Sequence, residues 1–187
     1  MKSDKSEIHR WLQTGALIAG VIATVALIVG DLNARRVEAT LKFVVDTARE
    51  YRKIDFEHSE RKDGELQPLT LDKAIEILCD SKNKEKDEEI RNMLAQFEWM
   101  AIGVRKGGLD FDTVMAMRGT YYTTFFKRWH PYMQARVDFV SEERQDKLYI
   151  QFELLVKEVS TKLNLKFEGI ERNRPKFKCP NANKSNT

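Results

Sequence analysis

The sequence has few of the residues that build metal sites, and it lacks the signatures of several large enzyme classes. Two cysteines, Cys79 and Cys179, and three histidines are scattered singly along 187 residues. Zinc sites need several such ligands at short spacings, so we expect no metal and no cofactor. The sequence contains no HExxH, no GxSxG and no glycine-rich phosphate loop, which leaves the enzyme classes that depend on them without support. We expect both cysteines to be reduced, with Cys79 a small core residue at the end of an apolar run.

An excess of one charge is also lacking. The chain has 32 basic and 29 acidic residues, a net charge of only +3. A dedicated nucleic-acid binder usually concentrates positive charge, so the composition argues against that class. The basic excess lies at the end of the chain, and we predict that residues 166–187 form a basic, disordered tail.

The longest stretch without charge lies near the N-terminus. Twenty consecutive uncharged residues separate Arg10 from Asp31. Twenty helical residues span about 30 Å, which is the thickness of the hydrocarbon core of a bilayer. A cleaved signal peptide would have a shorter apolar region that ends in small residues spaced A-x-A. The sequence therefore predicts an N-terminal tail over residues 1–10 and a retained transmembrane helix over residues 11–30.

The charges on the two sides of this segment do not settle its orientation. Three basic residues precede it and four follow within twenty residues, so the positive-inside rule is nearly balanced. A ten-residue tail is easily translocated, and the two cysteines look reduced. We therefore expect the remainder of the chain to be cytoplasmic.

After the anchor, apolar residues recur with helical spacing. The pattern predicts a helical stalk over residues 31–56 and a helical domain over residues 57–165. Asp110 is expected to cap a helix that starts at Phe111, and Pro131 is expected to break that helix after Trp129. The expected fold is all-α: one transmembrane helix that continues into a stalk and a small helical bundle.

Small and branched side chains recur along the anchor and the stalk at alternating steps of four and three. The positions are Ala16, Gly20, Ala23, Leu27, Gly30, Val37, Leu41 and Val44, and Ala34 continues the pattern between Gly30 and Val37. Small residues permit close helix packing in lipid, and larger ones suit a coiled coil in water. The pattern predicts a homo-oligomer that associates through this seam. The alternative is that the outer part of the stripe only covers its own domain.

Three charged residues are predicted to meet inside the bundle. Arg118 lies on an otherwise apolar helix face, and Glu98 and Glu153 border the apolar faces of two neighbouring helices. A buried guanidinium is costly without a carboxylate partner, so we predict a buried polar network of these three residues. The functional alternative is that Arg118 contacts the anion of a ligand in a cleft.

Several loosely spaced motifs resemble a bacterial group of N-terminally anchored helical proteins, known as domain of unknown function 4760. The motifs are Asn92 with Phe97-Glu98, Ile102-Gly103-Val104 with Gly107-Gly108-Leu109-Asp110, Trp129-x-Pro131 with Arg136, and Tyr149-x-x-Phe152-Glu153-x-Leu155. The resemblance covers roughly the C-terminal two-thirds of the chain. It implies a bacterial membrane protein with a helical domain, and it implies no activity.

In layout alone, the chain also resembles small membrane accessory proteins of RNA-targeting CRISPR systems, which carry a HEPN-like domain. HEPN ribonucleases use an arginine followed four to six residues later by a histidine. Arg52 and His58 have this spacing, and in such a site the imidazole would move protons while the guanidinium steadies a phosphate. The structural alternative is that His58 lies in a solvated loop and has no catalytic role.

The sequence as a whole favours a binding module over an enzyme. We expect a homo-oligomeric interaction, scaffolding or sensing module in the bacterial inner membrane, with the bilayer, its own copies and a further protein as partners. The alternative is an antiviral accessory or pore-forming effector, and only that alternative calls for a nucleic acid or a nucleotide.

Overall fold

The protein is an all-α bundle organised around one very long helix. The structure, a computed structural model, describes residues 4–140, 147–172, 174 and 179. Its main helices are α1 (Asp4–His58), α2 (Leu71–Cys79), α3 (Lys84–Arg105), α4 (Phe111–Phe139) and α5 (Ile150–Lys162). A short antiparallel hairpin of β1 (Glu60–Lys62) and β2 (Glu65–Gln67) follows α1, and a single 3₁₀ turn, Ser81–Asn83, precedes α3.

The first half of α1 is exposed along its whole circumference. From Thr14 to Arg35 every residue is exposed in the isolated chain, although most of the segment up to Gly30 is apolar. Among the described residues, one stretch within α1 is long and apolar enough to cross a membrane, and none of it is buried. A helix that is apolar on all sides needs either a protein core or lipid around it, and the bundle does not cover this part.

The second half of α1 is a core helix of the bundle. Thr40, Val44, Tyr51 and Asp55 are buried at spacings of four and seven, which places them on one helix face. Residues 31–56 therefore do not form a separate stalk, which corrects the expectation from the sequence. Val44, from the predicted seam, faces the bundle at 1% exposure, whereas Leu41 remains 41% exposed.

The core lies where α1, α3, α4 and α5 meet around Phe97. The Phe97 ring lies 4.9 Å from Tyr51, 4.4 Å from Phe125 and 5.1 Å from Phe152, centroid to centroid. One aromatic ring thus contacts a ring from each of the other three helices. Burying each such side chain contributes roughly 1.5–3 kcal/mol.

The start of α4 is tied to α1. Asp110 is the N-cap, as predicted, and its carboxylate accepts from the Thr113 N–H at 2.8 Å. The Asp110 N–H donates to Thr40 Oγ1 at 2.7 Å, and Arg36 donates to Asp110 Oδ1 at 3.1 Å. The bonds from Thr113, with a further contribution from Arg36, lower the pKa of Asp110.

The end of α4 differs from the sequence prediction. Pro131 lies inside α4, which continues to Phe139. A proline removes one helical hydrogen bond, but Trp129, Tyr132 and Met133 around it are all fully buried. Packing on both sides of the proline outweighs the lost bond, so the helix does not end there.

The chain after α5 packs back onto the bundle. Ile170 is buried, its N–H donates to Glu153 Oε1 at 2.9 Å, and the Glu171 N–H donates to Gln134 Oε1 at 2.8 Å. A Cβ added at Gly169 would lie 2.5 Å from Glu153 Oε1, so the Glu153 carboxylate would have to shift away from the strap. Residues 166–172 therefore form an ordered strap, which corrects the expectation of a disordered tail; apart from 174 and 179, the remainder of that tail lies outside the described residues.

A disulfide joins the end of α2 to the C-terminal segment. Cys79 and Cys179 are bonded with their Cα atoms 5.3 Å apart, within the normal range for a disulfide. The expectation of two reduced cysteines is therefore wrong. The bond closes a loop over a separation of 100 residues, for which a chain-entropy model gives a stabilisation of about 4–5 kcal/mol.

Candidate functional site

The candidate site residues lie in separate parts of the bundle. Among the described residues, no group of three His, Cys, Asp or Glu side chains is placed to hold a metal ion. The charged side chains singled out from the sequence have four different roles. One caps a helix, one holds the strap after α5, one links α1 to α3, and two line a cleft between α1 and α4.

Arg52 and His58 do not converge on one point. Both lie on α1, where residues six apart point about 120° away from each other around the axis. His58 Nε2 lies 2.6 Å from Glu89 Oε2 on α3, so this imidazole links the end of α1 to the bundle. Arg52 lines the cleft between α1 and α4. The two side chains therefore do not form the paired site that their spacing suggested.

Glu98 caps the last helix. Its carboxylate accepts from the Gln151 N–H at 2.9 Å and from the Phe152 N–H at 2.8 Å, the second and third residues of α5. Tyr149, the N-cap residue itself, has a left-handed backbone and makes no side-chain cap bond. Burial raises the pKa of Glu98, and the two backbone bonds partly oppose that rise. Glu98 thus supplies from α3 the acceptors that the start of α5 lacks.

Glu153 anchors the strap. It pairs with Arg172 and accepts from the Ile170 N–H. Since Glu98 and Glu153 have other partners, the predicted network with Arg118 does not exist as a unit. The reason is that Arg118 lies beside residues of α1, whereas the Glu98 and Glu153 carboxylates accept hydrogen bonds from the start of α5 and from the strap after it.

Arg118 lies in a narrow opening that we call the α1–α4 cleft. Its lining residues are Val44, Thr47, Ala48, Tyr51 and Arg52 of α1, Phe97 of α3, and Arg118, Tyr121 and Tyr122 of α4. The cavity inside this opening has a volume of about 10 Å³, which is about the space needed for one water molecule. Arg118 is half-buried at the cleft and Arg52 is exposed beside it.

Few of the polar groups in the cleft have hydrogen-bond or ion-pair partners among the described residues. Among the described residues, neither Arg52 nor Arg118 donates a hydrogen bond or pairs with a carboxylate; their contacts are electrostatic, with Tyr121 and Tyr122 respectively. The Tyr121 hydroxyl oxygen is buried without a hydrogen-bond partner in the same part of the chain. Burial, reinforced by Asp55, raises the pKa of Tyr121, so the hydroxyl stays protonated and can donate. The cleft can therefore hold a water molecule or an anionic oxygen.

The buried ion pair that does exist was missed from the sequence. Asp55 of α1 pairs with Arg128 of α4 and accepts from Trp129 Nε1 at 2.7 Å and Ser59 Oγ at 3.1 Å. Asp55 is 2% exposed and Arg128 8%. The signal was present, because Asp55 follows Tyr51 by four residues on the apolar stripe of α1. A carboxylate on such a face needs a buried partner.

This pair supports a quantitative prediction. Asp55→Ala should lower the free energy of unfolding by roughly 3–5 kcal/mol, because it leaves Arg128 buried without a partner. Arg128→Met should cost a similar amount, and the double variant Asp55→Ala/Arg128→Met should recover part of the loss. Urea unfolding of the detergent-solubilised chain measures all three. Strictly additive losses, or a loss from Asp55→Ala below about 1 kcal/mol, would contradict a coupled buried pair.

Comparison with known protein families gives a match over most of the chain. A family model matches residues 13–159. The matched segment includes most of the apolar half of α1, all of α2, α3 and α4, and most of α5. No curated protein and no solved structure matches the chain. The resemblance in layout to CRISPR-associated accessory proteins stays a prediction. Because the matched segment covers well over half of the 187 residues, the chain belongs to the family described as Domain of unknown function (DUF4760).

Proposed function

We propose that this protein is a single-pass membrane module that associates with its own copies along one face of α1 and holds its bundle at a fixed position above the bilayer. The observation that carries the proposal is the continuity of α1. One uninterrupted helix of 55 residues supplies first the exposed apolar segment and then a core face of the bundle. A rotation or displacement of the anchor would therefore move the bundle with it, which suits a scaffold or a sensor.

The apolar half of α1 carries a groove suited to a second helix. Ala16, Gly20 and Thr24 are four residues apart and form a shallow, open groove with Leu17, Val21 and Val25. Thr24 Oγ1 donates to the Gly20 carbonyl at 2.8 Å, so its polar group is satisfied within the helix. Small residues at this spacing let two helix backbones approach closely in lipid. The groove shares Ala16 and Gly20 with the predicted seam but continues at Thr24 in place of Ala23.

Large apolar side chains continue the same face outside the groove. Leu27, Val45 and Phe56 are 75%, 60% and 54% exposed. At 100° per residue they lie within about 20° of Gly20 around the axis of a straight helix. A neighbouring copy that packs along this face would cover both the groove and the exposed side chains. This face, together with the membrane segment, supports association with a second copy.

The disulfide supports an orientation opposite to the one expected from the sequence. Disulfides persist in exported and periplasmic proteins, whereas cytosolic thiols are kept reduced. The expected cytoplasmic location depended in part on reduced cysteines, and Cys79 and Cys179 are bonded. We therefore propose that the short N-terminal tail is cytoplasmic and the bundle lies on the oxidising side, which for a bacterial inner membrane is the periplasm. No feature of the described residues favours the HEPN-like alternative.

Association through the groove is tested by two glycine substitutions. An added Cβ meets nothing within 4 Å at either Gly15 or Gly20, so the isolated chain tolerates leucine at both positions. The two residues point about 140° apart around the helix. In membranes, Gly20→Leu should strongly reduce chemical cross-linking between copies, while Gly15→Leu, the matched control, should leave it near the level of the unmodified chain. Equal cross-linking of the two variants would contradict a contact through this groove.

The orientation is tested by thiol labelling, since the chain has only two cysteines. In intact cells with a permeabilised outer membrane, an impermeant maleimide should label neither cysteine until an impermeant phosphine reductant is added, and then both. A Ser3→Cys variant should be labelled at residue 3 only after the inner membrane is opened. Labelling of Cys79 and Cys179 that requires lysis but no reductant would place the bundle in the cytoplasm.

A further inference from the structure

The α1–α4 cleft brings two positive charges from different helices to one opening. Arg52 and Arg118 both line it, and among the described residues the contacts given for them are electrostatic, with Tyr121 and Tyr122, and include no carboxylate. The Asp55 carboxylate acts electrostatically on Tyr121, but it is already paired with Arg128, Trp129 and Ser59. Guanidinium groups prefer planar or tetrahedral oxyanions, to which they donate two hydrogen bonds at once. The free charge of the cleft is therefore positive.

A third donor lies deeper in the same cleft. The Tyr121 hydroxyl is buried and has no hydrogen-bond partner in the described part of the chain. A buried hydroxyl without a partner costs free energy that a bound acceptor would recover. We propose that the α1–α4 cleft binds the terminal oxyanion group, a phosphate or a carboxylate, of a soluble molecule. Arg52 and Arg118 hold the oxyanion, and the Tyr121 hydroxyl donates to its deepest oxygen.

The size of the cleft defines how such a ligand lies. The space of about 10 Å³ inside the cleft admits one oxygen atom and not a whole ligand. The remainder of the anion must lie at the rim, where Arg52 is exposed and Arg118 is half-buried. The protein would thus recognise the charged end of a molecule and leave its body in solvent.

The position of the cleft along α1 excludes a lipid headgroup as the source of the anion. Arg52 lies 22 residues beyond Gly30, the end of the apolar segment, and at 1.5 Å per residue this is about 33 Å along the helix. Lipid phosphates lie only a few ångströms beyond the hydrocarbon core. The ligand therefore comes from solution, and the inference does not depend on whether α1 associates with a second copy.

Thermal unfolding of the full-length protein in an uncharged detergent tests the site, with inorganic phosphate and succinate as probes against sodium chloride of equal ionic strength. Tm should rise with at least one probe, by about 2–4 °C at roughly four times its dissociation constant. Arg118→Gln and Arg52→Gln should each weaken the apparent affinity by roughly tenfold or more. Lys127→Gln, in the separate basic cleft beside His130, is the matched control and should leave the shift unchanged.

The outcomes separate a site from general salt effects and from a structural arginine. Without probe, Arg118→Met should have a Tm equal to or above that of the unmodified chain, since the protein supplies Arg118 with no acceptor in the described region. No rise with either probe, or an equal rise in Arg52→Gln and the unmodified chain, would overturn the proposal. Because Arg52 is exposed, its substitution leaves the fold intact even if changes at Arg118 do not.

Discussion

A single buried carboxylate fixes how the bundle packs against the long helix α1. Asp55 is removed from water, and only the donors of Arg128, Trp129 and Ser59 make that position tolerable. These donors sit at defined heights and angles on α4 and at the end of α1, so α1 can neither rotate nor slide against α4 without breaking the set. The face of α1 turned away from the bundle is set by the same constraint. That exposed face is the one that carries Gly20, Val45 and Phe56.

The α1–α4 interface has a neutral end and a positive end. Asp55 neutralises Arg128 at one end, while Arg52, one helical turn earlier on α1, lies near Arg118 and Tyr121 at the other. The second end has no carboxylate of its own among the described residues. An anion bound there would contact α1 and α4 together and would strengthen the interface between these two helices. The proposed ligand site and the proposed scaffold role are thus linked through one pair of helices.

Features determined by short stretches of sequence could be predicted, and features determined by distant partners could not. The apolar run, the all-α class and the Asp110 cap depend on neighbouring residues, and the structure agrees with each. The disulfide joins residues 100 positions apart, and Glu98 finds its partners more than 50 residues away. The helix α4 continues through Pro131 because the tertiary packing around the proline outweighs one lost hydrogen bond. In the same way, helical spacing identified Arg118 as unusual but could not tell which neighbouring helix it faces.

The most direct test of this account is whether the second half of α1 belongs to the folded domain. Two truncated chains, residues 31–187 and residues 59–187, differ only in that half of α1. The first is expected to be soluble and to unfold in one cooperative transition by circular dichroism. The second should lose cooperative unfolding, because it lacks the partners of Phe97 and Arg128 that α1 supplies. A chain of residues 59–187 that unfolds as cooperatively as the longer one, and at the same temperature, would contradict it.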